Sequence, residues 1–543
     1  MNLLSTYRTY GIIFLLFFGL EGMGQNFTRS QLPSPLQTPW EITYGPDGML
    51  WITEEGGKVS RMDPLTGGKT VVYEAPDYFG GDMSEEAPCG RPIGAHTYGL
   101  ALHPDFLDSA SVYFMYAYNQ GSANTPQTRF KIVELTWDSS AQMISQAHDL
   151  ITNLPNGYDH WGGRLLATKE SGTNYLYFSM GDLGSTDETC YPTGTTNPNT
   201  QAQDPFTANG KIHRVLMDGS IPTDNPISGN SFFTRGHRNP QGLAFNPNQE
   251  IVYDIEHGDK TDDEVNVLYK GMNYGWKEVS GFHDGNYPGE LDYIANYLPN
   301  NSIPNDSLVQ PLYAWGVENQ PEGGFLDWPT IAPSDGIYYG SDGIPEWTHS
   351  LLVVSLKDGS QTDQEVFQLK LNSDGKTLIP DTPAEPNPRT FFGEDQALNG
   401  RLRDITFSPD GKTIFLITNN WGVDDYVIMY TYEPDSTGTT SIFSPQEPDR
   451  SLADFSPLAP NPFTRQTSMT YSLKQANKLS IYLTNLEGKV IRNLYEGIQQ
   501  AGTHSLNWNG QSDQGTQAAS GMYYLHVYLD NQFFYSQKVV FMK

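Results

Sequence analysis

Cysteine is nearly absent from this 543-residue chain, which contains only Cys89 and Cys190, so no disulfide framework carries the fold. Cations are scarce as well. Against 63 Asp and Glu stand 32 Lys and Arg, a formal net charge of −31; such a surface repels nucleic acid and anionic membranes and excludes both as principal partners. Helical periodicity is hard to find, and past the N-terminus no apolar run approaches the ~20 residues of a membrane span. The one apolar run comes first. Arg8, the stretch IIFLLFFGL (12–20) and the small residues of GMGQ (22–25) read as a secretory signal over 1–24, which predicts an exported chain without a transmembrane segment. Export permits a bridge between the two cysteines, but their separation in space is not legible.

What the chain has in abundance is the β-hairpin. A short strand, a turn of Pro, Asp, Asn or Gly and a second strand rich in aromatic and β-branched residues recur. The units are WEITYGPDGMLWITEE (40–55), GLALHPDFLDSASVYFMYAY (99–118), GGRLLATKESGTNYLYFSMGD (162–182), QGLAFNPNQEIVYDIEHGD (241–259), DGIYYGSDGIPEWTHSLLVVSLKDG (335–359) and RDITFSPDGKTIFLITNNWG (403–422). Six irregularly spaced units predict an all-β chain whose residues 25–433 form a six-bladed β-propeller, in preference to a sandwich or a string of separate β domains. A propeller gathers loops from every blade at one end of its axis, so residues distant in sequence meet there. From 434 to 453 the composition turns to Pro, Ser and Thr, a linker. Residues 454–543 then read as a small C-terminal β-sandwich.

The inter-strand loops carry the chemistry. DHWGGRL (159–165) precedes one strand and GDLG (181–184) ends the next, so the hairpin returns Asp182 towards His160. A carboxylate beside a histidine orients the ring and favours its protonated form, the support a general base needs. A locally bonded hairpin histidine is the plainer reading of that fragment alone. TRGHRNPQGLAF (234–245) displays Arg238 and Asn239 before a proline that fixes the turn; a turn-tying role for Asn239 and His237 is the alternative. IEHGDKTDDEVNVLYKGMNYGW (255–276) crowds oxygens that suit a hard cation such as calcium, without EF-hand spacing, and fits a solvated acidic loop equally. SLKDG (355–359) closes an apolar strand with Lys357. In NGRLRDITFSPDG (399–411), Arg401 and Arg403 share one face of an extended chain. Two adjacent guanidiniums need anions, from a ligand or from surface carboxylates.

Taken in order, DHWGGRL, GDLG, DGSIPTDNP (218–226), GHRNPQGLAF, HGDKTDDE, GMNYGW, WPTIAPS (328–334), SLKDG and GRLRD resemble the soluble, pyrroloquinoline quinone (PQQ) dependent glucose dehydrogenases and aldose sugar dehydrogenases, six-bladed propellers, over residues 35–432. The resemblance implies that His160 is the general base that takes the anomeric hydroxyl proton of a sugar while hydride passes to PQQ, and that Asp182 orients it. It implies that Lys357, Arg401 and Arg403 hold the three carboxylates of PQQ, that Arg238 and Asn239 lie at its reactive carbonyl, and that Thr330 and Trp328 contact the cofactor. A calcium ion is implied at the carbonyls of Gly258 and Asp259, where the family usually has Pro at the second position, and another at Glu264, Tyr274 and Asp284. Trp161 stands where well-known members carry Gln. His96, in GAHTYGLAL (94–102), either replaces a glutamine contact or is an ordinary loop histidine.

The C-terminal stretch resembles the type IX secretion sorting domain of Bacteroidetes in NPF (461–463), LEGKVI (486–491), AGTHSLNWNG (501–510), SGMYY (520–524) and the terminal Lys543. An accessory, carbohydrate-binding sandwich is the alternative. The reading is therefore an exported or cell-surface oxidoreductase that takes an aldose to its lactone and passes electrons to an external acceptor, with the secretion machinery engaging its C-terminus. Two rivals stand against it. A non-catalytic propeller binding a glycan or protein would not need His160, Asp182 and the cationic cluster together; a calcium-dependent lactonase-like hydrolase would place carboxylates and asparagines, not cations, on the axis.

Overall fold

The computed structural model describes residues 27–80, 95–122, 126–157, 159–184, 197–317, 328–357, 364–382, 385–420, 424–433 and most of 453–541. Residues 1–26 and 434–452, where the signal and the linker are expected, and both cysteines lie outside the described residues. The chain divides into two units, Met1–Pro434 and Asp435–Lys543.

Among the described residues the first unit holds six four-stranded antiparallel sheets. Ile42–Tyr44, Leu50–Glu54, Lys58–Met62 and Lys69–Glu74 form one sheet, in that order. Sheets over 97–154, 162–235, 239–315 and 333–391 repeat the pattern. The last takes Leu402–Phe407, Thr413–Thr418 and Val427–Tyr432 and completes itself with the N-terminal strand Phe27–Gln31, Phe27 pairing with Tyr432. Local chemistry explains the hairpins. In GPDG (45–48), Gly48 adopts φ 77° and its N–H donates to the Gly45 carbonyl at 2.9 Å, a turn that Pro and Gly pre-organise.

The first strand of each sheet neighbours the first strand of the next, and the last sheet neighbours the first, so the sheets close a ring. Between each adjacent pair lies an apolar wedge. Trp51 meets Phe114 and Trp137, Tyr98 and Met115 meet Leu165 and Phe178, Tyr177 and Ile212 meet Leu243 and Val252. Tyr253 and Ile255 meet Leu351 and Val353, Leu352 and Val354 meet Leu402 and Leu416, and Phe415 and Ile417 return to Leu50 and Ile52. Each such side chain contributes about 1.5–3 kcal/mol by leaving water, so the ring is held by contacts between sheets that no single sheet could make.

The second unit has two sheets. Ala453–Phe455, Thr467–Leu473 and Gly502–Trp508 form one; Asn477–Thr484, Val490–Gln499, Gly521–Leu529 and Gln532–Phe541 form the other. A single core drawn from both includes Met469, Leu506, Trp508, Leu479, Ile481, Leu525 and Val539.

Candidate functional site

In an antiparallel hairpin the start of the inner strand faces the end of the second. The registers Gly162–Met180, Asn239–His257, Pro333–Ser355 and Leu402–Thr418 therefore bring the flanking residues of four sheets to one rim. Here the inner strands bulge, at 97–100, 162–165, 240–242, 333–335 and 402–404. A bulge breaks pairing and re-aims side chains, as it does beside many active sites.

His160 and Asp182 meet at this rim. Nδ1 of His160 lies 2.8 Å from Oδ1 of Asp182, with side chains 9% and 0% exposed. Oδ1 also accepts from the Gly184 N–H at 2.9 Å, and Oδ2 accepts from the Trp276 indole at 2.7 Å. The carboxylate is thus locked in rotation. Burial alone would lift its pKa, but the charge and hydrogen bond of His160, with Arg238 behind them, outweigh burial and hold Asp182 below its usual range. Among the described residues nothing hydrogen-bonds Nε2 of His160. The glycines of DHWGGRL are needed here: Gly162 and Gly163 adopt φ 67° and 94°, and a side chain on Gly163 would strike Tyr98.

The other residues singled out from the sequence converge here. Asn239 accepts from the Gly162 N–H at 3.2 Å. Arg238 donates to the His257 carbonyl at 3.4 Å, lies 3.7 Å from Asp259 and stacks over Trp276 at 5.4 Å. Lys357 is buried and donates to the Trp328 carbonyl at 2.5 Å and the Thr330 hydroxyl at 3.0 Å. Arg401 donates to the carbonyl of Leu356, the neighbour of Lys357, at 3.4 Å. Arg403 stacks over Trp40 with Cζ 3.3 Å from the ring centroid and donates to Gln241 at 2.7 Å.

Two of these cations keep unused donors. Nε of Arg238 and Nε and Nη2 of Arg403 are buried without a hydrogen-bond acceptor among the described residues. Burial and the nearby Arg164 press the pKa of Arg403 well below its ordinary value, and burial lowers that of Arg401. A guanidinium does not deprotonate in proteins, so an anionic guest is what relieves that pressure. The donor set fits a polycarboxylate.

For a cation, Gly258 shares a small cavity with Arg238, His257, Glu264 and Ser280, and the side chain of Asp259 turns towards Arg238, leaving backbone carbonyls as its available oxygens. Glu264 is buried, and burial together with Glu256 lifts its pKa well above normal, the condition a nearby calcium would relieve. The two other residues of that set are placed differently. The Tyr274 hydroxyl is used by the Val267 carbonyl (2.6 Å) and the Tyr269 N–H (2.9 Å), so only its carbonyl is available to a metal. Asp284 is exposed and acts on Asp262, whose Oδ2 accepts from Asn286 at 2.7 Å. A tight trio of ionisable groups, His237, Asp254 and Glu256, lies on the neighbouring buried face. Burial pulls the His237 pKa down, but Glu256 and Asp254 overcome it and lift it to about 10.

Several participants escape sequence reasoning. Trp40, Gln241 and Trp276 act through partners far along the chain; each stands inside a quoted stretch, but nothing local marks its role. His257, also inside one, is an uncharged imidazole: burial, then Arg238, Arg403 and His160, push its pKa down to about 3. His96 is 3.4 Å from Glu55 and packs edge-on against Trp161 at 5.5 Å, which puts it beside the residue following His160.

Fold and site define a β-propeller whose rim carries a carboxylate-backed imidazole within a cationic cradle. The chain belongs to the glucose/sorbosone dehydrogenase family, whose model matches residues 36–424. It is 30% identical over 465 residues to quinoprotein glucose dehydrogenase B of Acinetobacter calcoaceticus, covering 76% of this chain and 90% of that one. To aldose sugar dehydrogenase YliI of Escherichia coli (strain K12) it is 27% identical over 410 residues, covering 72% and 90%. The PQQ-bound aldose sugar dehydrogenase structure from Streptomyces coelicolor shares its fold, with a TM-score of 0.53 at 22% identity, over 76% of this chain and 99% of that one. Residues 462–532 match the FlgD Ig-like domain, not a sorting-domain family.

Proposed function

We propose that the protein is an exported, PQQ-dependent sugar dehydrogenase, a six-bladed propeller followed by a small β-sandwich, which oxidises an aldose at C1 to the lactone. The observation that carries this reading is the set of buried guanidinium N–H groups on Arg238 and Arg403 that find no acceptor among the described residues, beside the His160–Asp182 pair. A tricarboxylate supplies such a cradle with both acceptors and countercharge; a neutral glycan or a lactone supplies acceptors without the charge. The names of the relatives, which specify quinoprotein and aldose sugar dehydrogenases, support it.

In this reading Lys357, Arg401 and Arg403 hold the carboxylates of PQQ, Thr330 and Trp328 contact it, and the Gly258 and Asp259 carbonyls hold calcium. When bound, the quinone supplies a hydride acceptor and calcium a Lewis acid that polarises it. The protein's own part is proton transfer and positioning. Nε2 of His160 takes the proton of the anomeric hydroxyl, while Nδ1 stays on Asp182, whose charge stabilises the imidazolium that forms. Trp276 holds the far oxygen of Asp182, so this support costs no reorganisation. Arg238 and Asn239 stand where negative charge develops on hydride transfer. Glu264, Tyr274 and Asp284 are the candidates for a second, structural calcium. Electrons then leave to an external acceptor. The signal at 1–24 and the motifs of 454–543 support export and a sorting role for the C-terminal unit, although the family matched there names only an Ig-like domain.

The test adds PQQ and calcium to purified apoprotein and follows dye reduction with a panel of aldoses. Activity is expected to require both and to vanish with chelator. His160→Ala is expected to retain PQQ and lose about 10²–10⁴ in rate. Absence of PQQ binding by the unmodified protein overturns the reading.

A further inference from the structure

Lys211 opens the strand Lys211–Leu216, pairs with Met180 two residues before Asp182, and is wholly buried. No carboxylate meets it among the described residues. Its ammonium donates instead to the carbonyls of Asn209 (2.6 Å), Gln201 (3.0 Å) and Ala202 (3.1 Å) and lies 3.3 Å from the Thr207 hydroxyl. An ammonium has three hydrogens and no acceptor, so it draws several carbonyls of one short segment inward together. Burying a charge without a counter-ion costs free energy, and an apolar side chain would close the same space at lower cost; what the charge adds is a single loop geometry.

The loop 198–209 carries two of the restraints on Asp182. Asn209 donates from Nδ2 to the Asp182 carbonyl at 3.1 Å and to the Pro198 carbonyl at 2.8 Å. Gln203 donates from Nε2 to the Trp276 carbonyl at 2.7 Å, and the Trp276 indole donates to Oδ2 of Asp182. The main chain of Asp182 is thus held from Asn209 and its side chain, by way of Trp276, from Gln203. Lys211 ties together the turn from which both reach.

Resting on the functional reading above, we propose that Lys211 is a positioning residue for the proton-transfer pair: its ammonium is a fixed internal cation that tethers the loop 198–209 and so, through Asn209 and Gln203, sets the place of Asp182 and the direction of the His160 ring. Lys211 itself touches neither sugar nor cofactor. A carboxylate displaced by about 1 Å turns the imidazole away from the proton it takes, and a misplacement of that size costs about a hundredfold in rate.

Two readouts separate this role from that of a merely structural lysine. In the apoprotein the Asp182 carboxylate only accepts, so Nδ1–H of His160 donates to it and its proton resonates far downfield in NMR; absence of the signal from His160→Gln assigns it. With PQQ added, kcat, KM and PQQ affinity are measured for the best aldose. Lys211→Met keeps the stem and removes the charge. It is expected to lose the downfield signal and about ten- to a hundredfold in kcat, with KM and PQQ affinity within about threefold of the parent. Lys211→Ala opens the space, and ammonium or methylammonium at constant ionic strength is expected to bring back the signal and part of kcat, where tetramethylammonium, which has no N–H, does not. The inference is overturned if Lys211→Met keeps the signal and kcat, or if kcat, KM and PQQ affinity fail together with no recovery specific to cations that carry N–H. Should neither Lys211 variant fold, Gln203→Ala, at a half-buried position, decides: loss of the signal with PQQ binding kept supports the tether, and an unchanged signal overturns it. Absence of PQQ-dependent turnover in the unmodified protein is a separate result, against the functional reading, and the apoprotein resonance still decides for Lys211.

Discussion

At the scale of single residues the site depends on how closely two loops approach. His160 itself adopts φ 52°, a conformation uncommon outside glycine, and its carbonyl passes so near Gly181 that an added Cβ would collide with it. Gly181 is therefore the spacer that lets Asp182 reach the imidazole. Gly181→Ala is expected to lower the melting temperature and remove PQQ-dependent activity together. Gly172→Ala, at positive φ (84°) but with nothing within 4 Å of the added Cβ, is expected to cost only the backbone strain, about 1 kcal/mol, and to leave activity intact. Paired thermal melts and dye-reduction assays check the contrast. The His–Asp pair was legible because both residues sit in loops of one hairpin, 22 positions apart. Trp40 was not, because its partner Arg403 lies on the last sheet and no local pattern marks the meeting.

Among the elements, strand pairing decides which charges face one another. Asp254 and Glu256 alternate onto one face of their strand, and the register sets Asn266 and Glu264 opposite them, so one buried face collects three carboxyls. His237 answers them: its folded pKa of about 10 exceeds the ordinary 6.5. A raised imidazole stabilises the fold fully below pH 6.5, and that contribution is lost as pH rises through 10. Asp254, raised to about 7 by burial and Glu256, has finished titrating by pH 8. Melting between pH 8 and 10 is therefore expected to reveal a loss on the order of 1 kcal/mol per pH unit, flattened in His237→Gln. The stack on Arg403 gives a second test. Trp40→Ala removes a desolvated cation–π contact of about 1–2 kcal/mol and should weaken PQQ binding about five- to thirtyfold without changing its stoichiometry. Inner hairpins were readable because their turns and apolar alternation are local. Outer strands such as Met143–Leu154 are exposed along most of their length, so no apolar period announces them, and Phe27–Gln31 finds its partner only at Val427–Tyr432.

For the whole molecule, the ring has a centre as well as wedges. Arg164, 1% exposed, reaches Glu41 at 2.5 Å, Asp404 at 2.9 Å and Asp335 at 3.3 Å, and donates to the Gln241 and Ser334 carbonyls. Glu41 also accepts from the Leu100 N–H at 3.5 Å and Asp404 from the Ile42 N–H at 2.8 Å. One guanidinium and its carboxyls thus tie all six sheets, and the acids outnumber the base. Burial lifts Glu41 to about 8, against the pull of Arg164, and lifts Asp335 well above the usual range. Removing the cation leaves three buried acids facing one another, a loss of about 3–5 kcal/mol. They can escape it by taking up protons. A carboxyl whose folded pKa is raised withdraws stability as pH climbs from its unfolded towards its folded value; Glu41 does so equally in both proteins up to the parent's value of about 8, so the deficit of Arg164→Met, in which that value rises further, should grow as pH climbs past 8. Melting curves of both proteins across that window check it. A deficit that stays constant with pH would mean that the lost interactions are packing, and that the charge at the axis does not hold the ring.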